Sequence, residues 1–454
     1  MDVNWLPITD FLYLSLFLAG ASFLKKYVKL FNKLLIPTSI VAGFLGLFLG
    51  PEIIGVIPTH PAILEIMVYH LMAIGFIALT LKERNHKMNS SSIKTGIIIV
   101  STYLVQGIIG FGISLTLLYT IAPDIFPTFG LLLPLGYGQG PGQSYSIGRQ
   151  WEVLGFQSGG QIGLTIATLG FLWACFGGIL LLNILVKNKK LSPSNLPLQP
   201  RNEKITDDSE PGEIPLSSGL DKITVQLFLI GIVYFFTLLT LKGLTSVLTP
   251  LGSFGETMAQ LFWGFHFIIG TLYAMLLRLF YDYLLKKKLS VTHYPNNYLL
   301  QRISGACFDF MITASIAAIS ITAIKNYLLP VALVSTMGTL VTMLYIIYIC
   351  RKRFHLYVME HIIALYGMLT GTISTGLALL KEVDPHFSTQ VAENLVLGSA
   401  VGLFFGLPLM MILNIPIMGY INNDPVMYLY TMAALIAYFI LLSIILYFVN
   451  SRKD

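Results

Sequence analysis

The chain has 454 residues, 55% of them hydrophobic and only 11% charged, with a mean hydropathy of +0.76. Soluble domains carry about 25% charged residues, so this composition is that of a polytopic membrane protein and not of a soluble multidomain one. The net charge of +6 does not indicate a nucleic-acid partner, because the basic residues lie in loops between apolar runs, where they orient helices in a bilayer.

The amino-terminal MDVNWLPITD is acidic and lacks the basic opening of a cleaved signal peptide, so the first span is expected to be retained. A membrane span needs roughly 17–25 apolar residues. Such runs fall at about 8–24, 34–50, 62–81, 95–121 and 160–186, and again at about 223–243, 256–280, 303–325, 331–350, 391–413 and 426–449. Two further apolar stretches, 128–150 and 357–381, are interrupted by glycine and hydroxyl residues. Between the halves, 187–222 holds SPSNLPLQP and RNEKITDDSEPGE and reads as a flexible cytoplasmic linker with no domain of its own. Cys175, Cys307 and Cys350 lie far apart in apolar runs and form neither a disulfide framework nor a metal spacing.

Lysines and arginines cluster at 25–33, 82–94, 187–222, 278–302, 351–353 and 452–453, which together hold 24 of the 28. All six clusters share one side if the amino terminus is outside, the carboxy terminus cytoplasmic, and both interrupted stretches are re-entrant. A full crossing at 128–150 would move fourteen of those charges outside, against the positive-inside rule.

A repeat follows. Residues 1–186 give five spans with a hairpin at 128–150, and 223–413 give five with a hairpin at 357–381, starting on the opposite side. This is an inverted-topology repeat, with 414–454 supplying one extra carboxy-terminal span. The span after each hairpin carries small-residue spacing, Gly159 and Gly163 in one and Gly398, Gly402 and Gly406 in the other. The fold expected is an all-α integral membrane protein of two inverted five-helix repeats plus one helix.

The first hairpin, LPLGYGQGPGQSYSIGRQWE, puts Gly136, Gly138, Gly140, Gly142, Pro134 and Pro141 within nine residues. Glycine and proline break helices, and broken spans point to a transporter's binding site. Free amides at a half-helix start suit a carboxylate, and unwound carbonyls suit a dehydrated cation. The polar residues Gln139, Gln143, Ser144, Tyr145, Ser146 and Arg149 surround this break. The second hairpin carries Thr370, Gly371, Thr372, Ser374, Thr375 and Gly376. Those hydroxyls either bind a ligand or bond their own helix carbonyls. Arg149 either pairs a substrate carboxylate or snorkels. Asp309 is either a functional intramembrane acid or a helix-start carboxylate. His266 reads as an interhelical hydrogen-bonding residue, and Gln106 and Asn414 are further candidates.

The order of spans, the glycine-rich hairpin followed by Trp151–Glu152, and the second hairpin resemble the bacterial sodium/glutamate symporter family over about residues 1–413. That family's Gly-Gly-His-Gly-Thr-Gly-type run resembles GYGQGPG, with Gln139 at the histidine and Pro141 at the threonine. Its Gly-Ala-Thr-Pro-Thr-type turn resembles Gly371, Thr372, Ile373, Ser374 and Thr375, without the proline. The resemblance implies a homodimer in the bacterial inner membrane, with elevator-like alternating access. The implied activity is uptake of L-glutamate or a related small carboxylate, with Na⁺ as coupling ion and no other cofactor. We assign substrate binding to Gln139, Gly140, Gly142, Gln143, Ser144, Arg149, Thr370, Gly371, Thr372 and Ser374. Ion binding is assigned to Gly136, Gly138, Thr375 and Asp309. An intramembrane hydrolase fits poorly, because GQSYS lacks the second glycine of a Gly-x-Ser-x-Gly elbow. A channel would bring charged rings or filter repeats, and an ATP-driven pump a Walker sequence; neither occurs.

Overall fold

The computed structural model describes residues 5–28, 36–82, 90–187, 222–251, 255, 259, 262–287, 295–384 and 389–449, and every element among them is helical. The first part of the chain forms α1 (Leu6–Tyr27), α2 (Thr38–Leu49), α3 (Pro61–Leu81), α4 (Ser90–Thr120), α5 (Pro141–Glu152) and α6 (Gly159–Lys187). The second forms α7 (Lys222–Leu248), α8 (His266–Lys286), α9 (Asn297–Ala317), α10 (Leu328–Arg353), α11 (Val358–Thr370) and α12 (Ile373–Lys381). The chain continues through α13 (Val391–Ile412), α14 (Ile415–Ile421) and α15 (Val426–Phe448). Among the described residues, nine helices are long and apolar enough to cross a membrane. The protein is an all-α, multi-pass membrane protein. The linker expected at 187–222 lies almost wholly outside the described residues.

Two expected spans differ. The run at 34–50 yields only the 12 residues of α2, which opens after Pro37 and stops at Gly50. The run at 303–325 is helical earlier, as α9, and ends at Ala317. There the chain turns because other side chains take its backbone groups. Gln161 Nε2 donates to the Ala318 carbonyl at 2.9 Å and Ser320 N donates to Gln161 Oε1 at 2.7 Å. Ile321 N donates to Glu52 at 3.1 Å.

The helices pack as two groups. In one, α9 runs along α2 and α3, α8 along α3, α1 along α2, and α7 along α8. In the other, α13, α10 and α15 line α4, while α5 and α11 line α6. The groups meet where α5 and α6 pass α3 and α9. At one end of that seam, Glu65 of α3 accepts from the Tyr145 hydroxyl at 2.9 Å and from the Gln161 amide.

Each interrupted stretch doubles back. In the first, Phe126 before it stacks on Phe156 after it, with ring centroids 4.6 Å apart and planes 8° from parallel. In the second, α11 and α12 run against each other, so that a Cβ on Gly376 would come within 2.6 Å of the Ala364 carbonyl. The two start from opposite ends of the molecule, as α10 shows. Tyr327, just before α10, accepts a hydrogen bond at 2.8 Å from Phe126 N, at the mouth of the first stretch. Phe354, just after α10, stacks at 3.8 Å on His361, in the first turn of α11. Twenty-six residues of α10 lie between, about 39 Å at about 1.5 Å per residue.

Candidate functional site

The first break is built by local chemistry. After Pro134 the chain winds into a wide turn over Leu135–Gln139, then reaches Gly140 at φ 100° and ψ 175°. That conformation is open to glycine and strained for other residues. Pro141 then starts α5, where a ring-fixed φ suits the first helical position. Proline lacks an N–H, and the amides of Gly142 and Gln143 fall in the first turn, which has no intrahelical acceptor for them. The positive end of α5 therefore lies at Gly140, where a Cβ would meet nothing within 4 Å among the described residues. Gln143 is buried with its Oε1 unpartnered among the described residues, and the Ser144 hydroxyl reaches the Leu132 carbonyl only at 3.5 Å.

At the second break most hydroxyls are engaged locally. Thr370 Oγ1 donates to the Tyr366 carbonyl at 2.7 Å. Thr375 Oγ1 accepts from Thr372 N at 2.8 Å and lies 2.7 Å from both the Gly367 and Thr372 carbonyls. It fastens the end of α11 to the start of α12, as short hydroxyl side chains do when they compete with helix bonding. Gly371 N still reaches the Gly367 carbonyl at 3.1 Å. The side chain of Ser374 lies outside the described residues.

The breaks meet on α6. A Cβ at Gly170 would come within 2.5 Å of the Thr370 carbonyl and 2.8 Å of the Tyr137 ring. Small residues continue that face of α6 in both directions: Gly163 abuts Ser144, Ala167 abuts Gly136, and Ala174 abuts Gly371. Gly170 lies near the middle of the 29-residue α6. On the other side of the first break, Gly142 packs on Met72, near the middle of α3. Both breaks therefore sit at mid-depth of the long helices beside them.

Tyr103 donates to the Gly138 carbonyl at 3.0 Å, and Tyr137 donates to the Ser335 carbonyl at 2.7 Å beside Thr339 Oγ1 at 3.0 Å. Gln106 Nε2 donates to the Leu369 carbonyl at 2.8 Å and to Thr342 Oγ1 at 3.0 Å. Hydrogen-bond donors and acceptors of α4 and α10 thus pin both tips. No protein family, curated protein or solved structure matches this chain.

Of the residues assigned from sequence, Gly136, Gly138, Gln139, Gly140, Gly142, Gln143 and Ser144 cluster at the first break, and Thr370, Gly371, Thr372 and Thr375 at the second. Two stand apart. Arg149 lies eight residues beyond Pro141, about 12 Å along the helix at about 1.5 Å per residue, and pairs with Glu152. It lines a half-open cleft of about 180 Å³ with Ile66, Tyr69, His70, Tyr145, Ser146 and Gln150. Asp309 is exposed on α9, where its carbonyl accepts from Thr313 at 2.9 Å. His266 bridges helices as expected, with Nε2 3.0 Å from the Tyr69 carbonyl of α3. Tyr103, Tyr137, Ser335, Thr339 and Thr342 were not singled out from sequence. The one signal available was Tyr103 and Gln106, polar groups three apart on a helix face in an apolar run.

Proposed function

We propose that this protein is a secondary active transporter that carries a small carboxylate, L-glutamate first among them, into the cell together with Na⁺. One observation carries the reading: two broken helices that start from opposite ends meet across Gly170 at mid-depth. Backbone that leaves the helix at membrane depth is tolerated where protein covers it or a wet cavity borders it. Paired broken segments of this kind are how transporters expose helix ends to a substrate. The free amides at the start of α5 are the carboxylate donors, with the neutral groups of Gln139, Gln143 and Ser144 beside them.

The two interrupted stretches are re-entrant hairpins in this reading. At about 1.5 Å per residue, the 12 residues of α5 and 13 of α11 extend about 18 and 20 Å, short of a bilayer core of about 30 Å. An inverted repeat that exchanges α1, α2, α3 and α4 with α7, α8, α9 and α10 accounts for the packing. The pair α2–α9 maps onto α8–α3, and α1–α2 onto α7–α8, and all four contacts occur. Basic residues orient the protein with its amino terminus outside and its carboxy terminus in the cytoplasm of a bacterial cell. The seam between the helix groups is where an elevator-like movement would slide, and a homodimer completes the assembly.

The test is uptake of labelled glutamate, aspartate and citrate into proteoliposomes with and without an inward Na⁺ gradient. Accumulation of one of them that collapses when the gradient is dissipated is the expected result. Uptake indifferent to Na⁺ but driven by a proton gradient would keep the site and change the ion. Downhill equilibration alone would replace the transporter by a channel.

A further inference from the structure

Polar atoms between the two breaks are unequally satisfied. Gln106 stands at the middle of α4 and is 1% exposed. Its amide nitrogen is held by two acceptors, the Leu369 carbonyl and the Thr342 hydroxyl. A carbonyl oxygen cannot donate, so this contact sets which way the amide faces. Among the described residues, Gln106 Oε1 is left buried with no donor, a loss that folded proteins seldom leave uncompensated.

The surroundings say what would answer it. Leu369 and Thr370 are the last two residues of α11, so their carbonyls form the negative end of that helix. Thr342 adds a hydroxyl oxygen, and Thr339 lies one turn before it on the same helix. The contacts made by these groups involve no lysine or arginine among the described residues. A divalent ion draws carboxylates, and these contacts include none. Neutral oxygens at a helix carboxy-terminal end suit a monovalent cation.

We infer that Gln106 Oε1 and the carbonyl end of α11 form a binding site for a monovalent alkali cation. The site deepens the transport reading, and rests on it for its role in coupling. It also relocates the ion. The Thr375 hydroxyl is engaged in fastening the second break, and Asp309 stands elsewhere on α9. The anion at the start of α5 and the cation at the end of α11 would then face opposite helix poles.

The experiment reads binding without transport. Thermal unfolding of the purified full chain is followed in NaCl, LiCl, KCl and choline chloride at one ionic strength, with no substrate. An alkali salt should raise the unfolding temperature saturably over choline, and Gln106→Leu should lose that dependence. In Gln106→Glu, which keeps an oxygen there and adds charge, half-saturation should fall at least about tenfold, because ionised groups bond more strongly. That variant decides alone if Gln106→Leu does not fold. Equal stability in alkali and choline salts overturns the proposal, as does alkali dependence kept in Gln106→Leu or half-saturation unchanged in Gln106→Glu. Alkali stabilisation with no uptake in proteoliposomes would uphold the site and remove the transport reading.

Discussion

Tyr103 and Gln106 stand one turn apart at the middle of α4, and each holds a carbonyl from a different broken segment. The hydroxyl of Tyr103 takes Gly138 at 3.0 Å, and the amide of Gln106 takes Leu369 at 2.8 Å. One helix face thereby sets the position of both tips, although some 230 residues separate them (Gly138 to Leu369).

Removing one of these ties should loosen one tip. Tyr103→Phe keeps the ring that packs on Gly138 and deletes the donor. A single hydrogen bond is worth about 0.5–1.5 kcal/mol, so initial uptake should fall roughly twofold to tenfold while the yield of folded protein stays the same. Unchanged uptake would show that the Gly138 carbonyl needs no fixed position.

The glycines of the first break fail for different reasons, which a rescue experiment separates. At Gly142 a Cβ would lie 2.6 Å from Met72 Sδ. Gly142→Val should abolish uptake, and Met72→Ala in the same chain should restore part of it. At Gly140 nothing among the described residues obstructs a Cβ, but φ is 100°. Gly140→Ala should cost about 1–3 kcal/mol of backbone strain, and Met72→Ala should not relieve it. Equal rescue of both variants would refute this division.

The small-residue face of α6 should govern assembly of the fold more than transport. Gly159 meets Gly148 backbone to backbone, and Gly163 meets the Ser144 carbonyl. Gly159→Val and Gly163→Leu should sharply reduce monodisperse protein on size exclusion. Gly406, expected from its spacing to pack closely, has nothing within 4 Å of a Cβ position among the described residues. Gly406 is nevertheless buried, so Gly406→Ala should fit the space beside it and leave the yield unchanged; a loss comparable to the α6 variants would show that this space is needed.

Labelling tests the proposed orientation. Thr128 is fully buried and a poor probe, whereas Asp124 and Gln157 are exposed on either side of the first broken segment. Single cysteines at both should react with an impermeant thiol reagent from outside intact cells. A cysteine at the exposed His355, at the mouth of the second segment, should react only in inside-out vesicles. Opposite-side labelling of Asp124→Cys and Gln157→Cys would end the re-entrant reading.

Much of this fold was written in local chemistry. Most of the long apolar runs form helices long enough to span a membrane, and Gly and Pro break a helix through their own backbones, so the interruptions at 140 and 371 were legible residue by residue. Periodicity could not show where a span loses its backbone partners to another element, so it placed the end of α9 beyond Ala317, where Gln161 and Glu52 intervene. The site divides the same way. Helix ends at the breaks follow from sequence, but whether a hydroxyl or carbonyl there is free depends on what lies across the bundle. Thr375 is occupied by a carbonyl eight residues back, Gly138 by Tyr103, and Arg149 by Glu152. Gln106 turns its nitrogen to two acceptors from α10 and α11, far along the chain, and its oxygen has no donor among the described residues. Breaking a helix is a property of one residue, whereas satisfying a buried polar atom takes two, and only tertiary packing chooses the second.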